Sequence, residues 1–224
     1  MYNAGPSLEV DADFARHTYL VIDFEGLTPK GRSPVPVEVA ACAVRVASSG
    51  LVELWRFDSL MAPPEDVPVT SRFSAQTGIT TAMLANAAAP EQVMAALDAR
   101  LTAPPYRLVA HHAPTEAGLI AGQRRHCPAL AAVPLLDTVR LARVVYPELS
   151  SHRLDHLVRH LRLTPPVRRH RAMSDVLVTV QVFQRLLAEG ALAGHWKALH
   201  DLDRSGGLAA RGVAAPGEAQ TRLF

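Results

Sequence analysis

Residues Leu20-Val-Ile-Asp-Phe-Glu-Gly26 constrain this chain more than any other segment. Tyr19 to Phe24 is a short apolar run, which predicts a strand buried on both faces at the centre of a sheet. Asp23 and Glu25 then fall two apart near its end. Side chains at i and i+2 of a strand share a face, so two acids lie side by side next to the core. They repel each other and are costly to desolvate unless something positive joins them. A divalent cation with hard oxygen ligands resolves that conflict. An exposed acidic pair at a strand end is the blander alternative.

The rest of the chain supplies a mixed sheet. Thr28 to Pro36 holds three prolines and Gly31 and predicts a loop. Val37 to Val46 and Leu51 to Phe57 predict two further strands around the turn residues Ser48-Ser49-Gly50, giving a three-strand antiparallel meander. After Gly78 the period changes. Thr80 to Ala85 and Glu91 to Leu101 predict helices, the second with Val93, Met94, Leu97 and Leu101 on one face. Arg107 to Ala110 predicts a fourth strand, and Pro114 starts a helix through Arg125. Leu135-Leu136 predicts a fifth strand, with Asp137-Thr138 capping a helix to Val145. Helices follow over Arg153–Leu161, Ala172–Glu189 and His195–Asp203. Meander first, then alternation, gives an α/β fold with a five-stranded mixed sheet and helices on both faces. Residues 1–16 are expected as a lead-in, 17–204 as the domain, and 205–224, rich in Gly and Ala, as a flexible tail.

Two more segments bear chemistry. His170-Arg-Ala-Met-Ser-Asp175 frames the start of a long helix. An imidazole takes up protons near neutral pH and suits a general base, while Asp175 in the first turns can point back toward the sheet. A surface histidine and an acid favoured by the helix dipole would look the same in isolation. Glu116, in Val109-Ala-His-His-Ala-Pro-Thr-Glu116, also opens a helix. His111 and His112 lack a third ligand at zinc spacing.

Composition narrows the setting. Apolar residues are 49% and charged residues 20%, as in ordinary globular domains, and the net charge of +2 permits a nucleic-acid partner without requiring one. Arg153, Arg159, Arg162, Arg168, Arg169 and Arg171 crowd residues 153–171 against the single acid Asp155. No apolar run approaches the ~18 residues of a membrane span. Cys42 and Cys127 have no metal-type spacing, and no secretion signal is evident, so a reducing, cytoplasmic setting is expected. No Gly-x-Ser-x-Gly elbow is present, which argues against an acyl hydrolase.

In this order the motifs resemble the DEDDh family of 3′-to-5′ exonucleases, a ribonuclease H-like group that includes the proofreading epsilon subunit of bacterial replicative polymerase and ribonuclease T. The resemblance runs from Thr18 to Leu187. It is carried by Asp23-Phe24-Glu25, Val37-Glu38-Val39-Ala40, Thr77-Gly78-Ile79-Thr80, Val109-Ala110-His111, Asp137-Thr138, and His170 with Asp175. It implies a ribonuclease H-like sheet and two Mg²⁺ or Mn²⁺ ions held by Asp23, Glu25, Glu116 and Asp175, with His170 as base. Phe24, Gly26, Leu27, Thr28, His111, His112 and Arg171 would then face the substrate. Three positions depart from the family: Glu116 stands for Asp, His112 for Asn, and Gly26-Leu27-Thr28 for a Thr-rich stretch. The expected activity is removal of nucleotides from single-stranded or frayed DNA ends in replication or repair. RNA 3′-end trimming, and a weakened nuclease fold serving as a binding module, stay open beside it. The last residues, Gln220-Thr-Arg-Leu223-Phe224, resemble peptides that dock on the bacterial sliding clamp, so a clamp or polymerase is an expected partner through Gln220, Leu223 and Phe224.

Overall fold

A computed structural model describes residues 8, 10–48, 50–164 and 170–211. A short helix α1 (Ala12–Arg16) leads into β1 (Thr18–Leu27), β2 (Val35–Ala47) and β3 (Gly50–Leu60). Helices α2 (Ser71–Thr77), α3 (Thr81–Leu84) and α4 (Pro90–Asp98) precede β4 (Tyr106–Ala110). Then come α5 (Pro114–Gly122), α6 (Pro128–Ala131), β5 (Leu135–Asp137) and α7 (Thr138–Val145). Helices α8 (Leu154–His160), α9 (Ala172–Leu192) and α10 (Leu199–Gly206) are followed by β6 (Gly207–Leu208).

The sheet order is β3-β2-β1-β4-β5-β6. Strands β1, β2 and β3 pair antiparallel, β1–β4 and β4–β5 pair parallel, and β5–β6 is antiparallel. Strand β1 therefore lies inside the sheet, and alternate residues feed two cores. Tyr19 and Val21 pack with α7, α9 and α10 through Leu141, Phe183 and Leu202. Leu20 and Ile22 pack with α4, α5 and α6 through Met94, Ile120 and Leu130. Helices thus cover both faces, as the patterning predicts. Asp23 and Glu25 continue the Tyr19–Val21 row and face the α9 side.

Four features differ from the sequence expectation, one of them the short helix α6, which no periodicity announces. Among the described residues the sheet has six strands rather than five, because Gly207-Leu208 adds a two-residue edge to β5. Those residues were expected in the tail; their composition hides a role that depends only on backbone hydrogen bonds. The lead-in also contributes to the core: Asp11 caps α1 by accepting from the amides of Asp13 and Phe14, and Leu8 and Phe14 are fully buried. Helix α2 lacks a clear apolar period, but Thr70 caps it and Gly78, at φ 73°, ends it in the left-handed conformation. The cap expected at Asp137 is present, accepting from the amide of Val139.

Trp196, also fully buried, lies flat against α9 at Gly190. A Cβ at Gly190 would sit 1.9 Å from the indole Cζ2. Gly190→Ala should therefore overpack the core and cost about 1–3 kcal/mol in urea denaturation. Gly122→Ala, where the added carbon meets open space, should be neutral or stabilising.

Candidate active site

Strand β1 and helix α9 build the site between them. Asp23 and Glu25 are half-buried at the C-terminal part of β1, and Asp175 is 8% exposed in the first turn of α9. His170 precedes α9 with φ 58°, a left-handed value unusual for a side chain with a Cβ. Glu25, His170 and Asp175 each offer a ligand atom, and these atoms lie within 4.8 Å of one another. Two carboxylates and an imidazole so close match the hard-oxygen and nitrogen donors that divalent cations take. The donor set of this structure therefore fits a metal ion. Asp23 and Glu116 lie outside that group.

Glu116 is the third helical residue of α5, where a carboxylate can turn back onto backbone amides. It is 4% exposed, and its Oε2 has no hydrogen-bond partner among the described residues. Burial pushes its carboxyl up to about 8; its own backbone amide opposes this, and nearby Asp137 adds to it.

The side chains expected at the substrate have mixed positions. Phe24 and Leu27 are buried in separate cores. At Gly26, beside a break in the β1–β2 register, a Cβ would stand 3.2 Å from the carbonyl oxygen of Val35. Thr28 is exposed. His111 Nδ1 lies 2.9 Å from the Thr138 hydroxyl, and His112, exposed at φ 74°, donates its amide to Asp137. Arg171 is engaged by Glu38: its Nε and Nη2 both donate to that carboxylate. Glu38 belongs to a motif of the resemblance but is given no place in the site there, yet an acid inside the apolar stretch Val37 to Val46 is itself a signal that a buried cation must meet it. A broad groove of 1310 Å³ opens beside this end of the sheet, lined in part by Arg32, Pro36, Pro114, Thr115 and Gly118. Arg153, Arg159 and Arg162 are exposed, whereas Arg168, Arg169, Gln220, Leu223 and Phe224 lie outside the described residues.

A mixed sheet with helices on both faces and acids converging at its central strand defines the ribonuclease H-like class of nucleases. The RNase_T exonuclease family model matches residues 20–183, and the chain belongs to that family as a DEDDh-type 3′-to-5′ exonuclease. It is 34% identical over 186 residues to a DNA polymerase III subunit epsilon-like protein of Rhodobacter capsulatus, covering 82% of this chain and 25% of that protein. It is 28% identical over 176 residues to a PolC-type DNA polymerase III of Bacillus cereus, covering 78% of this chain and 12% of that one. The chain thus spans a quarter or less of these relatives. Among solved structures, the nuclease domain of 3′hExo bound to rAMP superposes with TM-score 0.68 at 16% identity, covering 81% of this chain and 96% of that one. Exonuclease X in complex with 5′ overhanging duplex DNA gives TM-score 0.60 at 25% identity, over 84% and 99%. Membership in this family implies dependence on a divalent metal. Among the described residues, no helix is long and apolar enough to cross a membrane.

The Glu116 environment has a measurable consequence. The folded carboxyl keeps its proton to about 8, whereas the unfolded one releases it near 4.5. Between these values the folded state binds more protons, so stability falls as pH rises through that window. Glu116→Gln should remove this fall. Thermal melts with chelator from about pH 4.5 to about pH 8 should show a flatter profile for the variant; parallel profiles would refute the assignment.

Proposed function

We propose that this exonuclease removes nucleotides from 3′ ends of single-stranded or frayed DNA during replication or repair. The observation that carries the site assignment is the convergence of Glu25, His170 and Asp175 at the end of β1. Asp23, Glu25 and Asp175 would hold Mg²⁺ or Mn²⁺, with Glu116 as the fourth acid. Bound there, divalent ions supply charge to polarise the scissile phosphate and acidify water. His170 takes the proton of the attacking water. The water oxygen bonds to phosphorus, the bond to the 3′ oxygen of the penultimate nucleotide breaks, and that oxygen picks up a proton from solvent. Exposed Arg153, Arg159 and Arg162 attract the phosphate backbone without reading sequence.

DNA is favoured because the relatives by sequence carry the names of DNA polymerase III proteins, while a neighbour bound to histone mRNA stem-loop is only 15% identical and shares the fold alone. Those relatives also favour association with a replicative polymerase. Clamp docking is tested by deleting Gln220 to Phe224 and measuring association with a sliding clamp. The binding-module reading is favoured by one observation: Glu116 lies outside the converging group, in a site that resists its ionisation. A rate gain in Glu116→Asp would support it, and a rate loss would count against it.

With 3′-labelled single-stranded DNA, mononucleotide release should require Mg²⁺ or Mn²⁺ and stop with chelator or in Asp23→Ala. His170→Ala should lower kcat by ~10²–10⁴-fold. Faster release from labelled RNA would move the substrate to RNA, and no release from either polymer would overturn the proposal.

A further inference from the structure

We propose that Glu38 and Arg171 are positioning residues that lock the junction carrying His170 and Asp175, and so set the spacing of the converging site. The inference rests on the nuclease reading of that site.

Glu38 lies in β2 with no exposed surface, between the buried Val37 and Val39. A carboxylate there needs partners for both oxygens. Oε1 accepts from Arg171 Nε at 2.9 Å and Nη2 at 2.6 Å. Oε2 accepts from Arg171 Nε at 3.2 Å and from the backbone amide of Ala172 at 2.9 Å. Ala172 opens α9, and its N-cap residue, Arg171, provides no side-chain cap. Glu38 therefore caps α9 from 134 positions away in sequence.

One clasp thus holds the guanidinium and the first amide of the helix. His170 is the residue before Arg171, held at φ 58°, and Asp175 is one turn after it. Any slip or rotation of α9 would move both. Glu25 and Glu38 are register partners on β1 and β2, so they project from the same face. Two acids directly opposite repel. Arg171 sits among these charges, near Glu25 and Asp58 as well as Glu38. Since Nε and Nη2 are both committed to Glu38, Arg171 acts through the junction rather than by gripping substrate.

Arg171→Lys separates geometry from charge, because lysine keeps the cation but cannot form the fork. Substrate-free protein is titrated with Mn²⁺ by electron paramagnetic resonance, and steady-state kinetics are run on a short single-stranded DNA. Mn²⁺ binding should weaken by ~10–100-fold, the scale expected when outer partners of metal ligands are lost. Turnover should fall by up to ~10²-fold with KM nearly unchanged. Glu38→Asp should behave alike. The double variant Glu38→Met/Arg171→Leu removes the clasp at constant net charge and should remain folded, since apolar pairs commonly replace buried ion pairs; it should show the same two losses. Wild-type Mn²⁺ binding and kcat in either Arg171→Lys or the folded double variant would overturn the positioning role and leave the nuclease reading intact. A rise in KM alone would also overturn it, by assigning Arg171 to substrate. If the wild type itself neither binds Mn²⁺ nor cleaves, both readings fall.

Discussion

Burial of β1 on both faces is the constraint on which this structure depends. A strand can lose all its water only if sheet neighbours satisfy its backbone and separate helical layers cover its two sides. Strands β2 and β4 supply the first, and the α4–α6 and α7–α10 layers supply the second. Tyr19 and Val21 then face α9, and Asp23 and Glu25 continue that row up to the register break after Glu25, so they meet the helix where the apolar run stops.

Helix α9 brings the opposing half of the site, and it does so against electrostatic cost. Asp175 joins acids that already repel each other, and Glu38 adds a further carboxylate opposite Glu25. Arg171 offsets part of this charge within the protein, and the converging donors around His170 suit a cation for the rest. Glu116 departs from that arrangement. A family aspartate in this place would carry its charge one carbon closer to the helix. The longer side chain sits at the start of α5, almost wholly buried, with burial raising its proton affinity.

Much of this was legible along the chain because it depends on local patterns. The meander follows from β-branched runs and the turn before Gly50, and the Asp137 cap from an acid preceding an apolar period. Asp23, Glu25, His170 and Asp175 stood out by type and order. Other elements carried no local signal. Helix α1 is a single turn secured by Asp11, which also accepts from the amide of Leu199 far along the chain. Strand β6 is two residues joined to β5 by backbone bonds, which composition does not encode. Glu38 lay within a recognised motif, but its partner Arg171 was 133 positions away and looked like one more cation in a basic run.

The sequence by itself determined which residues could do chemistry and in what order they occur, because side-chain type and strand or helix period are local properties. Only the tertiary structure decided which of them meet. Convergence of Glu25, His170 and Asp175 within 4.8 Å, the diversion of Arg171 to Glu38, and the burial of Glu116 all depend on contacts between elements far apart in the chain. Such contacts arise from packing layers on both faces of β1, which no single stretch of sequence specifies.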